Sequence, residues 1–153
     1  MEKHELIFEK IKIFLNKYFP DQIEEKGNGM YLAIKNTGVW IASDSRELTV
    51  GYEMTHIHCD PEIDDLNETT ELFFNLLTCK KQIIKYYKGD FSYKHRIELL
   101  LDDNEIYNIG TAMTWIFPYW KKTTTKVEIK DEIIELKKVE NDLNEIKTMH
   151  NPQ

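Results

Sequence analysis

The sequence predicts an α+β fold, an antiparallel sheet of about five strands flanked by an N-terminal, a central and a C-terminal helix. Three observations lead there. Apolar residues recur at helical spacing near both ends of the chain and in its middle. Between those stretches lie runs rich in Val, Ile, Thr and Tyr, which suit a pleated, half-buried surface. The turns between successive runs are short, and short turns join antiparallel neighbours, whereas a parallel pair needs a long crossover.

The elements follow in order. Over residues 3–18, Leu6, Ile7, Ile11, Phe14, Leu15 and Tyr18 share one helical face, with Glu and Lys opposite. Phe19-Pro20-Asp21 ends this helix, because the residue before proline is driven out of the helical region. Lys26-Gly27-Asn28-Gly29 is a turn. Two short strands are expected over 30–35 and 39–42, then a longer one over 48–59. A central helix is expected over 65–88, carrying Leu66, Leu72, Phe73, Leu76, Leu77, Ile84 and Tyr87. Acidic residues crowd its start, Lys80, Lys81, Lys85 and Lys88 its end, as the helix dipole favours, and Gly89 is its expected C-cap. Residues 91–101 and 105–119 form a hairpin about Asp102-Asp103-Asn104, with Pro118 at an edge or bulge. Residues 126–129 are a short strand or the lead into a last helix over 130–148, striped by Ile133, Leu136, Val139, Leu143 and Ile146.

Composition bounds the function. At 153 residues the expectation is a single domain, 1–153. A hydrophobic fraction of 41% argues against disorder despite 31% charged residues. The net charge of -7 disfavours broad binding to nucleic acid or anionic membrane and favours a basic partner or none. No apolar run approaches the length of a transmembrane helix, and MEKHELIFEK lacks a signal-peptide core, so the expected compartment is the cytoplasm. There Cys59 and Cys79 are expected as free thiols, and the sequon at Asn67 carries no glycan. High Lys, Ile, Asn and Glu usage points to an AT-rich bacterial or phage genome.

The stretch YEMTHIHCDPEIDD, residues 52–65, raises the question of a metal. On one continuous strand Val50, Tyr52, Met54, His56 and His58 share a face. Two imidazoles two residues apart can chelate, and Asp60 could add an oxygen. The text THIHCDP resembles the T-H-x-H-x-D-H signature of metallo-β-lactamase-fold hydrolases, but Pro61 replaces the final His. That resemblance implies further His and Asp ligands downstream, where the only histidines are His95 and His150. The plainer reading takes His56 and His58 as semi-buried sheet residues with local hydrogen bonds, and no cofactor or metal is expected.

No G-x-S-x-G elbow, Walker loop or G-x-G-x-x-G occurs. Cys59 and His58, as strand neighbours, face opposite ways and make a poor nucleophile-base pair. Six acidic residues, Asp60, Glu62, Asp64, Asp65, Glu68 and Glu71, form one candidate surface. Trp115, Phe117, Tyr119 and Trp120, followed by Lys121 and Lys122, form another. Such an aromatic and basic run could stack bases. The heavier reading makes Trp115, Phe117 and Tyr119 the core face of a strand.

An acidic α+β chain with LTVGYEMTHIHCD before an acidic helix, over residues 48–87, resembles the immunity proteins of bacterial polymorphic-toxin and contact-dependent growth inhibition systems. The resemblance implies a non-enzymatic inhibitor of one toxin domain, often a nuclease, as monomer or homodimer, with no nucleic-acid or membrane partner. A nuclease must be basic to hold phosphate, so an acidic inhibitor gains electrostatic steering. The expected contacts are the six acidic residues and Trp120. The alternatives are a small metal-dependent enzyme using His56, His58 and Asp60, and a phage or host accessory protein that oligomerises through the last helix.

Overall fold

A computed structural model describes residues 1–149. It has the expected α+β architecture, built as two antiparallel sheets in two compact units. The first unit comprises Met1–Thr78 and the chain from Ile133 onward; the second is Cys79–Glu132.

The first unit begins with α1 (Lys3–Tyr18). The Glu2 N–H donates to the Glu5 carboxylate at 2.7 Å, and the Phe19 N–H closes the far end on the Leu15 carbonyl at 2.8 Å. Five strands then meander in chain order: β1 (Ile23–Lys26), β2 (Tyr31–Ile34), β3 (Val39–Ser43), β4 (Leu48–Tyr52) and β5 (Thr55–Cys59). Next come α2 (Leu66–Thr78) and, after the second unit, α3 (Leu136–Thr148). Helices α1 and α2 pack against β3 and β4, and α3 packs on α1 and α2. The core between them holds Ile7, Ile11, Phe14, Ile41, Leu48, Val50 and Phe74. The Phe14 and Phe74 rings meet at 4.8 Å.

The second unit is a four-stranded sheet in the order β8-β7-β6-β9. Its strands are β6 (Lys80–Lys88), β7 (Phe91–Leu100), β8 (Ile106–Met113) and β9 (Thr123–Lys130). Gly89, with φ +60°, turns β6 into β7. A 3-10 turn over Asp102–Asn104 joins β7 to β8, as expected. A loop over 114–122 carries the chain from β8 to β9.

Several expectations are corrected. The run 48–59 is a hairpin: Glu53, at φ +51°, reverses the chain. The central helix stops at Thr78, and 80–88 is a strand, so Gly89 is a hairpin turn rather than a helix cap. KKQIIKYYK places Ile84 and Tyr87 at helical spacing but also alternates along a strand, and pairing on both sides with β7 and β9 decides for the strand. Strand β8 ends at Met113, so Trp115, Phe117, Pro118 and Tyr119 lie in a loop rather than on a core-facing strand. Strand β9 is longer than expected, and α3 starts at Leu136 instead of 130. The N–H groups of Ile133 and Ile134 both donate to the Leu77 carbonyl, which brings the chain back beside α2 before α3 begins. Strand β1 was not expected at all.

Candidate functional site

The hairpin register decides where the histidines go. His56 pairs with Gly51 and His58 with Thr49. On the other side of β4, Gly51 pairs with Trp40 and Thr49 with Ala42. Residues opposite one another share a sheet face, so His56 and His58 stand with Thr49 and Gly51, not with Val50 and Tyr52. They remain exposed, whereas Val50 and Tyr52 are buried in the core.

Gly51 shapes this open face. A β-carbon there would overlap the Trp40 ring, so its absence lets the indole lie across β4. The indole Nε1–H donates to the Glu53 carbonyl at 3.0 Å. Tyr31 stacks on Trp40 at 5.5 Å, Trp40 meets His56 at 5.8 Å, and His56 meets His58 edge-on at 4.8 Å. Four rings thus form a strip across the open face. Sequence reasoning missed Tyr31, Trp40 and Gly51; a lone glycine inside a strand-like run was the available signal.

His58 is held at Nδ1 by a hydrogen bond with the Glu47 carboxylate, and the Thr49 hydroxyl lies 3.2 Å from the same nitrogen. Asp60 is engaged elsewhere. Its Oδ1 accepts the Glu62 N–H at 2.9 Å, and its own N–H donates to Asp64 Oδ2 at 2.8 Å. The fold therefore brings His56 and His58 together and commits Asp60 to the following turn. Among the described residues, no group of three or more His, Cys, Asp or Glu side chains is placed to hold a metal ion. His95 belongs to the second unit, where its Nε2 lies 2.8 Å from the Ser92 hydroxyl, and His150 lies outside the described residues. Cys59 faces the core, where burial raises its thiol pKa and suppresses the nucleophilic thiolate. Both cysteines are free, as expected.

The acidic run forms a tight turn leading into α2. The N–H groups of Ile63 and Asp64 both donate to the Asp60 carbonyl, at 3.0 and 2.7 Å. Asp65 caps α2 by accepting the Asn67 N–H at 2.8 Å. Glu71 pairs with Lys147 of α3 at 3.1 Å. Glu62 and Glu68 project outward, and at the turn's centre Ile63 stands 83% exposed. Beside the turn, Glu2, His4, Ser45, Arg46, Asp60, Pro61 and Glu62 line a cleft of about 390 Å³. The buried His4 reaches the Asp44 carbonyl through Nε2 at 2.9 Å. The N–H groups of Arg46 and Glu47 donate to the Asp44 carboxylate and hold its pKa low.

Charge is divided unevenly between the units. The first carries 19 acidic against 10 basic residues, the second 8 against 10. Trp120, grouped with the acidic residues from sequence, belongs to the second unit. No helix among the described residues is long and apolar enough to cross a membrane. Comparison of the chain with protein-family models, with curated proteins and with solved structures gives no match.

Proposed function

We infer that the chain acts by binding, as an immunity protein that neutralises a basic toxin domain. One observation carries this reading: Ile63 is displayed at the centre of a turn that is hydrogen-bonded internally, in a run that also carries Asp60, Glu62, Asp64, Asp65 and Glu68. An apolar anchor among charged residues has the anatomy of a protein interface, with an energetic centre and a polar rim. The turn is pre-organised by its own backbone bonds, so little ordering entropy is lost on binding. The acidic excess of the first unit would steer a basic partner and raise its association rate.

The test uses any toxin domain that the genes neighbouring this one encode. Co-expression should relieve toxicity, and purified chain should bind the domain. Glu62→Lys with Glu68→Lys should slow association at low salt, and the slowing should shrink at high salt as screening shortens the field. Ile63→Ser should instead speed dissociation. Neither Glu side chain holds the turn, so both variants keep the fold. No binding to that domain, or kinetics unmoved by all three substitutions, would remove this reading of the acidic turn.

A further inference from the structure

The loop over 114–122 in the second unit exposes apolar side chains on a fixed base. Trp115, Ile116, Tyr119 and Trp120 are 84, 87, 75 and 72% exposed. The base does not float. The Thr114 N–H donates to the Tyr93 carbonyl at 2.9 Å, and the Gly89 N–H to the Lys122 carbonyl at 3.1 Å. Phe117 turns inward and stacks on Tyr93 at 4.6 Å. Inside the loop the Lys121 N–H returns to the Pro118 carbonyl at 3.0 Å. So many exposed large apolar groups on one anchored loop need a partner, because scattered surface hydrophobes do not cluster in this way.

The charge around the loop narrows what that partner is. In the framing segments, 86–94 and 113–124, the basic residues are Lys88, Lys94, Lys121 and Lys122, and the one acidic residue is Asp90. The chain as a whole is acidic, but a surface at contact responds to charge within a Debye length, about 8 Å at physiological salt. A basic protein is therefore disfavoured here and an anionic surface favoured. Tryptophan and tyrosine beside lysine is also the composition of the membrane interface, where amphipathic rings sit at the level of the headgroups. Ile116, the most exposed of the four, offers no flat ring for a nucleobase and suits acyl chains.

We propose that this loop is a membrane-docking tip: Trp115 and Ile116 enter the interfacial layer of an anionic bilayer while Lys121 and Lys122 meet its headgroup phosphates. The site is separate from the acidic turn and stands without the inhibitor reading.

The test is flotation of the full chain with phosphatidylcholine vesicles, with and without phosphatidylglycerol. Binding is expected only to the anionic vesicles and should weaken as salt rises. Trp115→Ser with Ile116→Ser should abolish it. Lys121→Ala with Lys122→Ala should weaken it by roughly tenfold or more. All four side chains are exposed, so circular dichroism and thermal unfolding should match the parent. In a Trp40→Phe background, brominated lipid should quench the remaining tryptophan fluorescence. The proposal fails if the chain does not float with anionic vesicles, or if flotation survives the Trp115 and Ile116 changes. It fails equally if those changes leave lipid binding intact but abolish binding to single-stranded DNA or convert a dimer to a monomer.

Discussion

The indole of Trp40 lies across Gly51, its partner in the β3–β4 pairing, in space that any side chain at 51 would fill. Gly51→Ala should therefore displace the ring and cost about 1–3 kcal/mol, the usual penalty for forcing volume into a packed site. In a Trp40→Ala background the same change should cost far less, because the overlapping atoms are gone. Urea unfolding of the four proteins measures the coupling. Equal costs in the two backgrounds would show that Trp40 does not rest on Gly51.

Lys81 is 1% exposed on β6, with its ammonium donating to the Cys79 carbonyl at 3.0 Å. Burial lowers its pKa from 10.5 to about 8, against the smaller opposing pull of Cys79 and Glu132. Below about 8 both folded and unfolded chains hold the proton, and the folded state bears the full cost of a buried charge. Between about 8 and 10.5 the unfolded chain holds more protons, so stability rises with pH across that window. The gain is on the order of 3 kcal/mol at its upper end. Lys81→Met should be more stable than the parent at neutral pH, and the difference between the two should shrink steadily through the window. A difference that is constant with pH would refute a depressed Lys81.

Asp65, the cap that precedes α2, and Glu68, in its first turn, are both exposed acidic residues, yet of the two only Asp65 accepts a backbone N–H, that of Asn67. Asp65→Ala should cost about 1 kcal/mol, the usual value for a lost N-cap. Glu68→Ala should stay within about 0.5 kcal/mol, as surface substitutions usually do. Thermal melts of the two variants separate the cap from the general charge of the turn.

Helix α3 covers Val139, Leu143 and Ile146 against the rest of its own unit, and leaves Leu136 exposed. Polar ties hold it to α1: the Tyr18 hydroxyl lies 2.8 Å from both the Asp142 carboxylate and the Lys138 carbonyl, and Lys17 pairs with Asp142 at 3.0 Å. A zipper through this stripe would have to withdraw the same side chains from the core. Leu143→Ala should cost about 2–5 kcal/mol, as buried leucines do, with no change in molecular mass by light scattering. Leu136→Ala should be close to neutral. A dimer that dissociates when Leu143 is truncated, with little loss of monomer stability, would favour self-association.

Local pattern carried much of this fold. The face of α1, strands β2 and β3, the turn at Asp102–Asn104 and the Val139, Leu143 and Ile146 part of the last helix's stripe follow from periodicity and turn residues over a few neighbours, and all are present. The α+β class follows from those elements alone. Where two periods fit the same residues, only pairing between distant segments decided. KKQIIKYYK became β6 because β7 and β9, up to about fifty residues away in sequence, supply its ladder on both sides. The run 48–59 split at Glu53, a residue with no strong turn preference, because folding it back pairs β5 with β4. That split moved His56 and His58 from the face of Val50 to the face of Gly51, since one reversal changes which residues lie side by side. The candidate site was half legible for the same reason. The acidic run, its helix start and its exposure are local properties, whereas the overlap of Trp40, Gly51 and His56 exists only across three strands. The aromatic run from Trp115 to Trp120 reads equally well as a buried strand, and the end of β8 at Met113 alone turned those side chains to the surface.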